Sequence, residues 1–122
     1  RQAGNPGAAV GVLREALALA RELGEDLGQA QALRRLGAAY SELGRHADAY
    51  DCLDRALAIV REVGHPMLEG EILLTLSAAR ARDGHGHEAV PDVERSIVLF
   101  RELGFTGLLR RAEHQLAQLQ AT

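Results

Sequence analysis

Apolar residues recur every third or fourth position through six stretches of the chain, and five of those stretches close on a glycine. The first, about 7–23, sets Ala9, Val10, Leu13, Ala16, Leu17 and Ala20 on one stripe, the spacing of a helix with a single buried face. The second, about 26–43, gathers Ala32, Leu33, Leu36, Gly37, Ala39, Tyr40 and Leu43 on its buried side. Its other side carries Gln31, Arg34, Arg35, Ala38, Ser41 and Glu42. The third, about 46–63, repeats the first: of the sixteen positions in 9–24 aligned with 49–64, eight are identical, including the core-stripe residues Ala49, Leu53, Ala56 and Leu57. The fourth, about 66–82, opens on Pro66 and buries Ile72, Leu73, Leu76 and Ala79. In the fifth, about 88–103, Pro91 stands where the third has Asp51. A proline that far into a helix removes a backbone hydrogen bond and crowds the preceding turn, so a late start or a kink is predicted near Ala89 to Pro91. The sixth, about 106–120, is predicted to begin with Thr106 as its N-cap. It is more polar, with Glu113 where the second and fourth have Leu33 and Leu73, as suits an element at the end of a stack.

The glycines set the period. Gly4, Gly24, Gly44, Gly64, Gly84 and Gly104 fall every twenty residues, and Arg-Glu-Leu-Gly at 21–24 returns as Arg-Glu-Val-Gly at 61–64 and Arg-Glu-Leu-Gly at 101–104, so the full repeat is forty. A residue just past a helix often takes the left-handed conformation, where glycine meets no Cβ clash. Each lattice glycine is therefore a helix stop, and two helices make one hairpin. Hairpins at a fixed period stack into a solenoid. Pro6, like Pro66, opens a helix where its missing N–H costs nothing, and residues 1–6 read as the end of a preceding helix. The turn at 83–87, with Gly84 and Gly86, is expected to be the loosest connection.

Composition narrows the class. Apolar residues make up 47% of the 122 residues, enough for a shared core. Aromatics are confined to Tyr40, Tyr50, Phe100 and Phe105, so alanine and leucine carry that core, as in closely packed helices. The formal charge is −3 with both signs scattered, which lacks the basic footprint of nucleic-acid binding. No apolar run approaches the ~18 residues of a membrane span. A single Cys52 excludes an internal disulfide and points to a reducing, cytoplasmic setting. The chain opens on Arg1 in mid-repeat and reads as one repeat domain, 1–122, cut from a longer protein.

The hairpin pattern resembles the tetratricopeptide repeat. Leu33, Leu36, Gly37 and Tyr40, followed by Ala49, Leu53 and Ala56, fill that family's positions in order and at its spacing. Leu73, Leu76, Ser77, Arg80, Ala89, Val93 and Ser96 fill them more loosely, with Arg80 in place of the aromatic. Gly37 or Ser77 is expected to let the facing helix approach closely through Ala49 or Ala89. The forty-residue form is similar to repeats appended to large bacterial regulators, typically actinobacterial, and to those of peptide-sensing quorum regulators and kinesin light chains. The resemblance implies an all-α, right-handed superhelical stack of antiparallel hairpins, about six helices long. It also implies a protein- or peptide-interaction module that senses or docks for a regulatory protein. The alternatives are a ligand- or signalling-peptide sensor, and an accessory domain for self-association.

In such superhelices the first helix of each hairpin lines the inner groove. By resemblance that groove holds Gln31, Arg34, Arg35, Ser41, Glu42, Glu71, Leu74, Thr75, Ala78 and Arg82, joined by Arg111, His114, Gln115 and Gln118. Arginines in one concavity suit a carboxylate or an acidic segment; the plain alternative is a solvated non-core face. His85, His87 and Glu88 lack further ligands at a recognisable zinc spacing. Cys52 lacks a neighbouring base or a second Cys, and Gly84 and Gly86 follow no strand as a phosphate cradle would. No catalytic, metal or cofactor site is expected. The first helix leaves Val10, Leu13 and Leu17 partly uncovered, which predicts a homodimer through the first or the sixth helix.

Overall fold

The computed structural model describes residues 5–121, and six helices account for its regular structure: α1 (Pro6–Leu23), α2 (Asp26–Glu42), α3 (His46–Val63), α4 (Pro66–Arg82), α5 (Gly86–Leu103) and α6 (Thr106–Gln120). The fold is all-α, a stack of antiparallel helix hairpins. Gly24, Gly44, Gly64, Gly84 and Gly104 all have φ between 67° and 81°. Directly after each, the next N–H reaches back five residues: Glu25 to Ala20, Arg45 to Tyr40, His65 to Val60, His85 to Arg80 and Phe105 to Phe100, at 2.7–3.0 Å. These are the backbone bonds that a left-handed glycine makes possible at a helix end. Gly4 lies outside the described residues.

The most extensive packing joins α2 to α3 and α4 to α5, with α1 against α2, α3 against α4 and α5 against α6 between them. Among the described residues α2 also touches α4, and α4 touches α6, whereas α1, α3 and α5 do not touch one another. Helices that meet along one side and splay along the other form a wedge, which puts α2, α4 and α6 on the inner wall of a curved stack.

Close approach is set by paired sizes across each hairpin. A Cβ on Gly37 would lie 2.6 Å from Leu53 Cγ, and one on Gly70 would lie 2.6 Å from Phe100 Cε1 and Cζ. Forty residues away, the counterparts of Gly37 and Leu53 are Ser77 and Val93, and those of Gly70 and Phe100 are Ala30 and Val60. Where the inner helix has the smaller residue, the outer helix has the larger, so volume is conserved pairwise. The facing atoms at Gly37 are those of Leu53; Ala49, named from sequence, is fully buried nearby.

Charge is exchanged in the same pairwise way. Tyr40 and Cys52 are both buried in the core of the first hairpin. Their counterparts Arg80 and Asp92 form an ion pair between α4 and α5, with side chains 30% and 18% exposed. Arg80 thus departs from the aromatic because its partner position has become an acid. The two buried serines of this hairpin are also satisfied: Ser77 Oγ donates to the Leu74 carbonyl at 2.7 Å, and Ser96 Oγ to the Gly70 carbonyl at 3.1 Å.

Several sequence expectations need correction. α5 starts early, at Gly86, and runs through Pro91. The bond lost there would have gone to the carbonyl of His87, a residue on the exposed side, where water can serve it. Thr106 is the first helical residue of α6, and Phe105 occupies the cap with no side-chain bond. Ala16 and Leu43 are exposed, and Ser41 is 4% exposed. α2 has α1, α3 and α4 around it, so burial extends beyond a single stripe. Ala16 is exposed because the described residues place no helix over that side of α1. At the start of the 83–87 turn, Tyr50 donates to Asp83 at 2.8 Å, and His46 Nε2 lies 3.6 Å from the same carboxylate. Burial, then the Asp83 bond, pushes the Tyr50 phenol up to about 12, so it stays protonated.

Candidate functional site

The inner-wall helices bring most of the sequence-predicted residues together, in two groups. Ser41 and Glu42 of α2, Thr75 and Arg82 of α4, and Arg111 and Gln115 of α6 line one cleft of about 270 Å³, with Ala38, Leu74, Ala78 and Ala79 as its apolar part. Gln115 reaches Ser77 Oγ at 3.4 Å, which holds the α6 side of the cleft against α4. Arg82 and Arg111 are exposed, free to turn toward a bound group.

Arg34, Arg35 and Glu42 line a second hollow between α2 and α1. Arg34 donates through Nε to Gln31 at 3.0 Å. Burial pulls its guanidinium below the ordinary arginine value, and Glu71 opposes that while Arg35 and Arg111 reinforce it. The inner wall therefore carries Gln31, Arg34, Arg35, Glu71 and Arg111 as one electrostatic neighbourhood spanning three helices. Gln118 belongs elsewhere, in a hollow beside Gly84, Gly86 and His87. His114 is exposed on α6 and lines none of these hollows.

Ser41 stands out chemically. Its hydroxyl is buried in the cleft wall with no hydrogen-bond partner among the described residues. Leaving such a group unpaired costs roughly 1–3 kcal/mol. The counterparts of Ser41 are Ala81 and Ala121, so the fold itself does not call for a hydroxyl here.

The chemistry available elsewhere is meagre. Cys52 is buried, and desolvation, reinforced by Asp51 and Asp48, pushes its thiol up to about 11, which leaves it a small hydrophobe. His85 Nδ1 lies 3.3 Å from Glu88 and its Nε2 3.7 Å from Asp83. Among the described residues, no group of three or more His, Cys, Asp or Glu is arranged to hold a metal ion.

A family model described as tetratricopeptide repeat matches residues 1–62. The chain belongs to the tetratricopeptide repeat family. No curated protein matches it. Tetratricopeptide repeats are interaction modules without catalysis of their own, and generally mediate contact between proteins. The matched region ends within α3, yet the second tetratricopeptide hairpin, α4 and α5, continues the same register with paired exchanges of size and charge. The described residues include no helix long and apolar enough to cross a membrane.

Two features escaped sequence reasoning. The Arg80–Asp92 pair was signalled by two simultaneous departures from the forty-residue repeat, of opposite charge and twelve residues apart. The Tyr50–Asp83 bond has no such signal, because it joins α3 to the end of α4 across 33 positions.

Proposed function

We propose that the inner wall of α2, α4 and α6 binds an extended or helical segment of a partner protein, and that the chain is the docking or sensing part of a bacterial regulatory protein. One observation carries this reading: from α1 to α5 the positions that face the core stay apolar or small from repeat to repeat, apart from the Arg80–Asp92 exchange, whereas inner-wall positions change in charge and hydrogen-bonding character. Leu36, Leu76 and Leu116 are equivalent, as are Leu57, Ile97 and Leu17. By contrast Gln31, Glu71 and Arg111 are equivalent, as are Arg35, Thr75 and Gln115, and Glu42 and Arg82. Solvation asks only that such positions be polar. A graded series of different donors, acceptors and charges suits a segment whose own residues differ along its length.

The partner is a protein and not a nucleic acid, since net −3 offers phosphates no attraction. A cytoplasmic setting agrees with a lone buried thiol. Arg82 and Arg111 beside an apolar cleft favour an acidic or carboxylate-ended segment, each guanidinium offering a bidentate face. The charge-reversed variant Arg82→Glu with Arg111→Glu is expected to weaken binding of a fluorescein-labelled Glu/Ala decapeptide at least tenfold by anisotropy. Its melting temperature should be unchanged, because both side chains are exposed. Equal affinity in the variant, or no affinity in either protein, would count against the acidic-segment reading.

A further inference from the structure

Hydroxyls inside this stack have a common outlet. Thr75 and Ser77 of α4 donate to the carbonyls of Glu71 and Leu74, and Ser96 Oγ of α5 reaches those of Gly70 and Asp92, both at 3.1 Å. A serine inside a helix can use the carbonyl four residues back, which for Ser41 is that of Gly37. Ser41 does not take it. At 4% exposure it lines the cleft between α2 and α4, and its Oγ has no partner among the described residues.

The cleft beside that hydroxyl is shaped by what its walls lack. Ala38 of α2 and Ala78 of α4 are equivalent, while α6 has Gln118 at that position. Two short side chains leave a depression of about 270 Å³, floored by Ala38, Leu74 and Ala78. Such a floor favours an apolar group. Arg82 and Arg111 stand exposed at its rim. A guanidinium pairs a carboxylate along its edge and stacks on an aromatic ring with its face. An aliphatic side chain would cover the floor and leave Ser41 unpaired, and a charged one would lose hydration against alanine and leucine. A phenol meets each demand, with an apolar ring for the floor and a hydroxyl at its far end that both donates and accepts.

We infer that the cleft is a socket for a tyrosine of the partner segment, its phenol hydroxyl paired with Ser41 Oγ. That tyrosine is one residue of the segment which the proposed inner-wall recognition requires, and its selection rests on that recognition. Ser41 holds no bond in the free chain, so turning about χ1 to meet the phenol breaks none. Phenylalanine gains the same ring burial but leaves the serine unpaired, and a site with a polar group waiting discriminates against the analogue that lacks the matching hydroxyl.

Two fluorescein-labelled Glu/Ala decapeptides, one with a central tyrosine and one with phenylalanine in its place, test this by anisotropy. The parent chain is expected to bind the tyrosine peptide about fivefold tighter, the worth of one neutral hydrogen bond. In Ser41→Ala the two peptides should bind within about twofold of each other, and the phenylalanine peptide as it does in the parent. The variant should melt at or above the parent temperature, because alanine stands at the equivalent positions 81 and 121 and an unpaired hydroxyl leaves the interior. Equal affinity of the parent for both peptides, or a tyrosine preference unchanged in Ser41→Ala, would overturn the socket. If the plain Glu/Ala decapeptide binds and the tyrosine peptide gains nothing over it, inner-wall recognition stands and the socket alone fails. If none of the three peptides binds, both fail.

Discussion

Arg80→Ala is expected to destabilise the chain by about 2–3 kcal/mol at neutral pH, somewhat under the range for removing one member of a fully buried pair. The discount reflects the 30% exposure of the arginine. What remains is a carboxylate largely cut off from water with its counter-ion gone. Asp92 already sits above the ordinary aspartate value because burial outweighs the help from Arg80, and losing Arg80 raises it further. A carboxyl group raised in the fold binds its proton more tightly there than in the unfolded chain. Its favourable contribution is thus complete below the unfolded value of about 3.9 and is lost as pH rises through the raised folded value. The deficit of Arg80→Ala should accordingly shrink between pH 7 and pH 4, as followed by urea denaturation. The repeat itself suggests the rescue: Arg80→Tyr with Asp92→Cys rebuilds the Tyr40 and Cys52 arrangement and should fall within about 1 kcal/mol of the parent, since apolar replacements of buried pairs are often neutral or better. A double variant as unstable as Arg80→Ala would mean that the two hairpins are not interchangeable at this point.

Gly70→Ala is the second large effect. Alanine gains about 1 kcal/mol of helix propensity over glycine, but its Cβ would meet Phe100 ring atoms at 2.6 Å. The ring is fully buried and has nowhere to go. Overpacking of this sort costs roughly 1–3 kcal/mol, occasionally more; with contact to two ring atoms at once the upper part of that range applies, for a net loss of about 1–2 kcal/mol. Phe100→Val alone leaves a cavity and should cost about 2–3 kcal/mol, less than the full truncation of a phenylalanine. Together they recreate the Ala30 and Val60 pair, so the double variant should be more stable than the sum of the singles by at least about 1 kcal/mol. Simple additivity would show that the two sites do not share one volume.

Both effects come from a register that the sequence displays openly, and this explains what was legible in it. Glycine at every twentieth position located the helix ends to within a residue or two, because the left-handed stop is a local demand that tertiary packing does not override. The inner wall followed from the resemblance to the tetratricopeptide repeat, which implies a groove holding Ser41, Glu42, Thr75, Arg82, Arg111 and Gln115, and these six line one cleft. Sequence reading failed where a residue's fate depends on a third helix. Ser41 falls on the open face of the sequence pattern and is buried because α2 is packed on three sides. Ala16 lies on the apolar stripe of the sequence and is exposed because no helix among the described residues lies over that side of α1. α5 starts earlier than its sequence predicts because Pro91 gives up a bond on the wet side of its helix, where the loss is small.

Recognition on the inner wall is open to test by an amide-shift map of the ¹⁵N-labelled chain titrated with the Glu/Ala decapeptide. Saturable shifts are expected to centre on Thr75, Ala78, Arg82, Arg111 and Gln115, with α3 and α5 silent away from their junctions with α4 and α6. Shifts centred instead on the outer faces of α3 and α5 would contradict it.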